Sequence, residues 1–287
     1  MKNKRICIFV IVCFLGILIP GINRENVYGE EKEYLIKVNM AMNCITVYEM
    51  GNTNEYTIPV KAFACSNFED TSDEEKTYSI ISKSDWKQMN DGTYSHYVIN
   101  ISTDISICSS PYTEQSNDTL DTEKFNGIGE SKSTQNIWLC SSDAKWLYEN
   151  CKSGINVVIY YDTSSPGPMG KPNTIKLNST TKNTNWDPTD DSEDNPWKNN
   201  SARIEGVKNL DVNMGDDVDL LKNIKGYDIC GNDISENIIV MGNYDFQKVG
   251  MYSISYYLKD ATGSQANQSA TINVREQKEL VTSASEK

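Results

Sequence analysis

From Tyr34 the chain alternates apolar and polar residues with the period of a half-buried strand, in Tyr34-Leu35-Ile36-Lys37-Val38 and again in Cys44-Ile45-Thr46-Val47-Tyr48. Asn39–Asn43 between them reads as a turn, Gly51-Asn52 ends the second strand, and Tyr56-Thr57-Ile58-Pro59-Val60 begins another. Thr77–Ile81, Tyr97–Ile101 and Asn156–Tyr161 are further strand candidates. One helix is well marked: Ser141 or Ser142 can cap it, Asp143 suits its first turn, and Ala144-Lys145-Trp146-Leu147-Tyr148 carries it towards Gly154. After Tyr161 the texture changes to turns at Pro166-Gly167-Pro168 and Gly170-Lys171-Pro172, and then to an almost wholly polar stretch, Asn178–Ser201. By composition that stretch is a linker. Short strands resume at Val207–Val212, Val218–Leu220, Ile238–Val240, Tyr252–Leu258 and Ala270–Val274, at the spacing of a β-sandwich. The pattern predicts a mainly β chain with one or two helices in the first domain and a second, smaller β-sandwich. Its boundaries are 34–177, a linker 178–201, a second domain 202–275 and a polar tail 276–287.

The first 29 residues stand apart. Lys2, Lys4 and Arg5 precede an apolar run from Ile6 to Ile19, which Pro20 and Gly21 break. This is the layout of a secretory signal, with a cut before Glu30 or, if uncleaved, a membrane anchor. No second run of about 18 apolar residues follows, so membrane association would come only through that signal. The full chain has a net charge of -13, and removing residues 1–29 leaves about -16. A surface this acidic repels phosphate backbones, which excludes nucleic acid as a natural partner.

Six of the eight cysteines lie beyond the signal: Cys44, Cys65, Cys108, Cys140, Cys151 and Cys230. None forms a CxxC pair, and His96 is the one histidine, so neither a zinc site nor any other cofactor is implied. Asp187, Asp190, Asp191, Glu193 and Asp194 lack the order and central glycine of an EF-hand, and a solvated acidic linker is the simpler reading.

Several stretches between Tyr94 and Asp162 carry a likeness: ISICSSPY, EKFNGIG, STQNIWL and SSDAKWLYENCKSGINVVIYYD, with IPVKAFACSN upstream. In this order they resemble the L,D-transpeptidase (YkuD) catalytic domain. The resemblance implies a β-sandwich that cross-links peptidoglycan through a cysteine thiolate, a histidine base and an arginine. The scaffold residues match and the chemical ones do not. Cys108, followed by Ser109, stands where the family has histidine. In the second motif Ser133 remains, while Thr134 replaces histidine, Gln135 glycine, Asn136 the nucleophilic cysteine and Trp138 the arginine.

An asparagine amide is no nucleophile, and no histidine aligns beside it to activate anything. His96 aligns with a non-catalytic position, as a surface or second-shell residue. Cys108 is either a small buried thiol or half of a disulfide or, in the alternative, a relocated nucleophile, which would need a depressed pKa. Ala202–Val274 resembles a second family, the bacterial immunoglobulin-like domains, through ARIEGVKNLDVNMGDDVDLL, YDICGNDI and VGMYSISYYLKDATGS. Together the two resemblances imply a protein that is secreted or associated with the cell wall, with no catalytic residues expected. It would bind peptidoglycan stem peptides or a wall protein. The alternatives are an active L,D-transpeptidase with an atypical site and a structural surface spacer.

Overall fold

The computed structural model describes residues 33–68, 74–133, 135–178 and 182–276. The signal segment, Thr134 and the tail beyond Glu276 lie outside the described residues. The first domain carries β1 (Tyr34–Asn39), β2 (Cys44–Met50), β3 (Tyr56–Ala64), β4 (Asn67–Phe68), β5 (Lys76–Ser79), β6 (Ser82–Gln88), β7 (Tyr94–Asn100) and β8 (Ser106–Ser109). It continues through α1 (Thr122–Asn126), β9 (Ser131–Ser133), β10 (Ile137–Leu139), α2 (Ser141–Asn150) and β11 (Asn156–Tyr160). Two larger sheets result, in the orders β3-β2-β1-β11-β5 and β10-β8-β7-β6, and β4 pairs with β9 in a small third.

The core between these sheets follows directly from the alternation. Ile36, Val38, Ile45 and Val47 from one sheet meet Ile99, Ile107, Ile137 and Leu139 from the other, with Ala144 and Leu147 of α2 in the same cluster. Each large side chain enclosed this way contributes about 1.5–3 kcal/mol. Because successive strand residues face opposite sides, Val98, Cys108 and Trp138 are turned to the far face of the second sheet, where they form a small separate cluster. Strand β6, SKSDWKQ, has no clear apolar alternation and escapes a reading by pattern. It is an edge strand held by its ladder to β7.

The C-terminal β-domain has β12 (Arg203–Glu205), β13 (Leu210–Asn213), β14 (Lys225–Tyr227), β15 (Ile239–Met241), β16 (Gly250–Lys259) and β17 (Gln265–Arg275). Four of these form a sheet in the order β13-β17-β16-β15, and β12 pairs with β14. Ile254, Tyr256, Leu258, Ile272 and Val274 make its core. The mainly β fold agrees with the sequence pattern. Val218–Leu220, expected as a strand, is irregular instead. The Tyr256 hydroxyl donates to the Leu220 carbonyl there at 2.9 Å, so the segment is held by a side chain and not by a ladder.

The larger correction concerns the polar stretch. Over 182–201 it is anchored by buried residues, while Asp191, Glu193 and Asp194 among others stay exposed. Asp187 is wholly buried, and Asp190, Asn195 and Trp197 are nearly so. The helix α2 has no side-chain cap from its own N-cap residue, Cys140. The cap arrives from the polar stretch: Asp187 Oδ2 accepts the Ser141 N–H at 2.6 Å, Thr189 Oγ1 accepts the Ser142 N–H at 3.1 Å, and Asp190 Oδ2 accepts the Ser141 hydroxyl at 3.1 Å. Carboxylates at a helix N-terminus satisfy orphan N–H groups and complement the dipole. Asn195 Nδ2 then donates to both the Asp187 and Asp190 carbonyls, at 2.9 and 2.7 Å. Burial is possible because these polar atoms find partners. From Glu33 onward the chain forms one compact unit. Trp197 shares a cluster with Tyr112 and Phe125 of the first domain and with Ile229 and Cys230 of the second.

Candidate functional site

Strands β8 and β10 run parallel and side by side, with Trp138 opposite Cys108. The motif position nearest the expected chemistry therefore sits on the far face of the second sheet, where even-numbered residues of both strands point. A cavity of about 290 Å³ opens there. Gln135, Asn136 and Trp138 form one wall, and Ser106 of β8 stands close by. The opposite side comes from Lys87 and Met89, the turn holding Asp91 and Thr93, and Asp104 in the loop between β7 and β8. Trp138 is 4% exposed, and the backbone N–H and carbonyl of Trp138 both pair with Ser66, at 2.9 and 2.8 Å. Its indole Nε1 has no partner among the described residues.

Cys108 does not reach this cavity. It is fully buried with Val98 and Trp138, and burial pushes its thiol up to about 12, against weaker opposing effects of Ser95 and Lys87. A reactive cysteine needs the reverse shift. Ser109 is also buried; its hydroxyl accepts the His96 N–H at 2.8 Å and donates to the Ser110 carbonyl at 3.0 Å. The Ser133 backbone lies in β9, opposite Phe68 of β4. Gln135 is exposed and Asn136 half-buried. Of the motif positions, the cavity thus gathers Gln135, Asn136 and Trp138 and leaves out Cys108 and Ser109.

His96 is buried, not on the surface. Its ring stacks between Trp86, at 4.3 Å, and Tyr97, at 3.7 Å, and its Nε2 meets Asp85 at 3.0 Å. Burial lowers its pKa below the ordinary histidine value, while Asp85 works the other way. Tyr97 holds a left-handed backbone, with φ 53°. No thiol belongs to this stack. Lys87, Asp91 and Asp104 carry no motif signal; hairpin and loop geometry alone brings them to the cavity.

The second domain carries the decisive likeness, since its β16–β17 hairpin contains the Gly250–Tyr252 start and the Asp260–Gly263 turn in place. Residues 202–274 match the family Bacterial surface protein, Ig-like domain. This Ig-like domain is a module of bacterial surface proteins and agrees with a place at the cell envelope. No curated protein matches the chain. Among solved structures, a Clostridium perfringens ZmpB structure (CBM51-2 in complex with GlcNAc, and INT domains) is 28% identical over 27% of this chain and 17% of its own, with a TM-score of 0.25. An L,D-transpeptidase from Mycobacterium smegmatis is 14% identical over 45% of this chain and 58% of its own, with a TM-score of 0.36. A fused Zn-dependent amidase/peptidase/peptidoglycan-binding domain-containing protein from Clostridium acetobutylicum is 16% identical over 45% and 52%, with a TM-score of 0.33. The chain spans less than two thirds of each of these structures.

Polar contacts join the Ig-like domain to the first domain and to the 182–201 stretch. Asn232 Nδ2 donates to the Lys176 carbonyl at 2.8 Å, and Asn200 Nδ2 to the Ile229 carbonyl at 3.0 Å. Within the Ig-like domain, Asp260 Oδ2 accepts the Ile229 N–H at 3.1 Å, which holds the Ile229 segment in place. Among the described residues, no helix is long and apolar enough to cross a membrane.

Proposed function

We propose that this is a cell-envelope protein whose first domain keeps a transpeptidase-like scaffold without acyl-transfer chemistry and uses the cavity at Asn136 to bind peptidoglycan stem peptides. The observation that carries the reading is the pairing of Asn136 with Trp138 at the cavity wall while Cys108 lies sealed behind it. Acyl transfer through cysteine needs an exposed thiolate with a base in reach. Here an amide occupies the cavity, and the nearest motif cysteine is buried with a raised pKa. The Ig-like domain would space or present the first domain at the cell surface, after export directed by residues 1–29. The domain boundaries near 178 and 202 belong to this proposal as well.

The test uses two arms. Incubation with a tetrapeptide stem or a carbapenem, followed by intact-mass measurement, is expected to show no adduct; an acyl adduct would establish an active transferase. Sedimentation with purified wall sacculi is expected to retain the protein. Its absence from the pellet would leave the spacer reading in place of the binding one.

A further inference from the structure

The edge of a sheet offers unpaired backbone N–H and C=O groups to any strand that can reach them, and a charge or a proline usually guards it. The larger sheets of this protein follow that rule at most of their edges. Pro59 and Lys61 stand on β3, Lys76 on β5, Lys83, Asp85 and Lys87 on β6, and Asp211 on β13. At β10 the Trp138 backbone is taken up by Ser66. Strand β15, Ile239-Val240-Met241, has neither guard nor cover. It ends its sheet, and among the described residues no strand lies on its far side. The run from Asn237 to Tyr244 around it carries no charge at all.

The side chains at this edge point to the same use. Val240 lies opposite Tyr256 and packs on the domain core. Ile239 and Met241 lie opposite Tyr257 and Ser255 on the outer face, where they are 56% and 44% exposed. Farther in, that face turns polar. Tyr257 and Ser255 lie opposite Asn267 and Ser269, and the Ser255 and Ser269 hydroxyls hydrogen-bond at 3.1 Å. The apolar surface is thus a strip along the open edge, where a strand added to the ladder would flank it. Single exposed apolar residues are ordinary, but here both coincide with the unpaired backbone.

The strand that fits best is β15 itself, run antiparallel. With Val240 opposite the partner's Val240, Ile239 falls opposite the partner's Met241, and both such pairs share the outer face. The same register sets Glu236 opposite Tyr244 and Asp245 opposite Ser235, so no like charges meet. A parallel pairing would set Glu236 against Glu236 and Asp245 against Asp245. In a chain of net charge -13, copies can approach only where such oppositions are absent. We infer that β15 is a docking strand for a second copy of this chain: two copies pair antiparallel about Val240 and join their four-stranded sheets into one. The interface is isologous and short, so association is weak and is favoured where copies are held close together on one surface. It does not depend on the cavity at Asn136.

The experiment is sedimentation velocity of the chain from Glu30 onward, which contains the whole compact unit. Concentrations of about 5 to 500 μM span the association expected of a small interface. The wild type should move from one chain towards two as concentration rises. Ile239→Lys combined with Met241→Lys places lysine opposite lysine and should weaken association at least about tenfold. Ile239→Lys combined with Met241→Glu places each lysine opposite the partner's glutamate, in the antiparallel register alone, and should recover much of the loss. Both sites are exposed, so neither pair of changes disturbs the core. A wild type that stays single throughout, or association that survives the double-lysine change, would overturn the inference. So would a lysine–glutamate variant that associates no better than the double-lysine one.

Discussion

Asp187 caps a helix that begins 46 residues before it, its carboxylate accepting the Ser141 N–H at 2.6 Å in a fully buried setting. The same carboxylate accepts the N–H and hydroxyl of Thr189, at 2.8 and 2.7 Å. Replacement by alanine leaves those donors unpaired inside the protein. Asp187→Ala should therefore lower stability by about 1–3 kcal/mol. Urea denaturation measures it, and an unchanged midpoint would show that the cap is idle.

Acidity should act on the same residue in a definite direction. Burial pushes the Asp187 carboxyl up to about 6, with Asp190 adding to the effect and the Thr189 and Ser141 donors opposing it. The folded state then holds the proton more tightly than the unfolded chain, whose aspartate titrates near its ordinary value of about 3.9. Stability from this group rises as pH falls through about 6 and levels off below about 4. Asp187→Asn cannot titrate there. The wild type should gain stability relative to Asp187→Asn between pH 7 and 4; a flat difference across that window would refute the shift.

Proteolysis should spare the polar stretch. A solvated linker of this composition would be cut first, but Trp197 is 3% exposed and Asn195 clamps two carbonyls. Proteases need an accessible, extensible backbone. Under limiting trypsin or a broad-specificity protease, 182–201 should outlast exposed turns elsewhere. Early release of two fragments split within that range would return the segment to the status of a linker.

Installing the residues of the L,D-transpeptidase motif should cost stability. In the combined variant Cys108→His, Gln135→Gly, Asn136→Cys and Trp138→Arg, the buried indole gives way to a charge and the sealed thiol to a larger polar ring. The loss should be at least about 2 kcal/mol in chemical denaturation. A more stable restored protein would mean that Trp138 and Cys108 are badly packed, contrary to their enclosure with Val98.

What the sequence alone determined is local and periodic. Tyr34–Asn39 and Cys44–Met50 were readable because a pleated strand alternates faces. The body of α2 was readable too, but its cap, expected from Ser141 or Ser142, comes from Asp187 instead. Tertiary structure alone decided the rest. The edge strand β6 is specified by its backbone ladder to β7, which leaves little apolar signal. Asp187 and Asp190 look like solvated charges until α2 supplies the donors that make their burial tolerable. Lys87, Asp91, Asp104 and Lys124 meet Trp138 only because hairpin, loop and helix converge from separate parts of the chain. Such convergence depends on contacts between distant residues, and no periodicity along the chain encodes it.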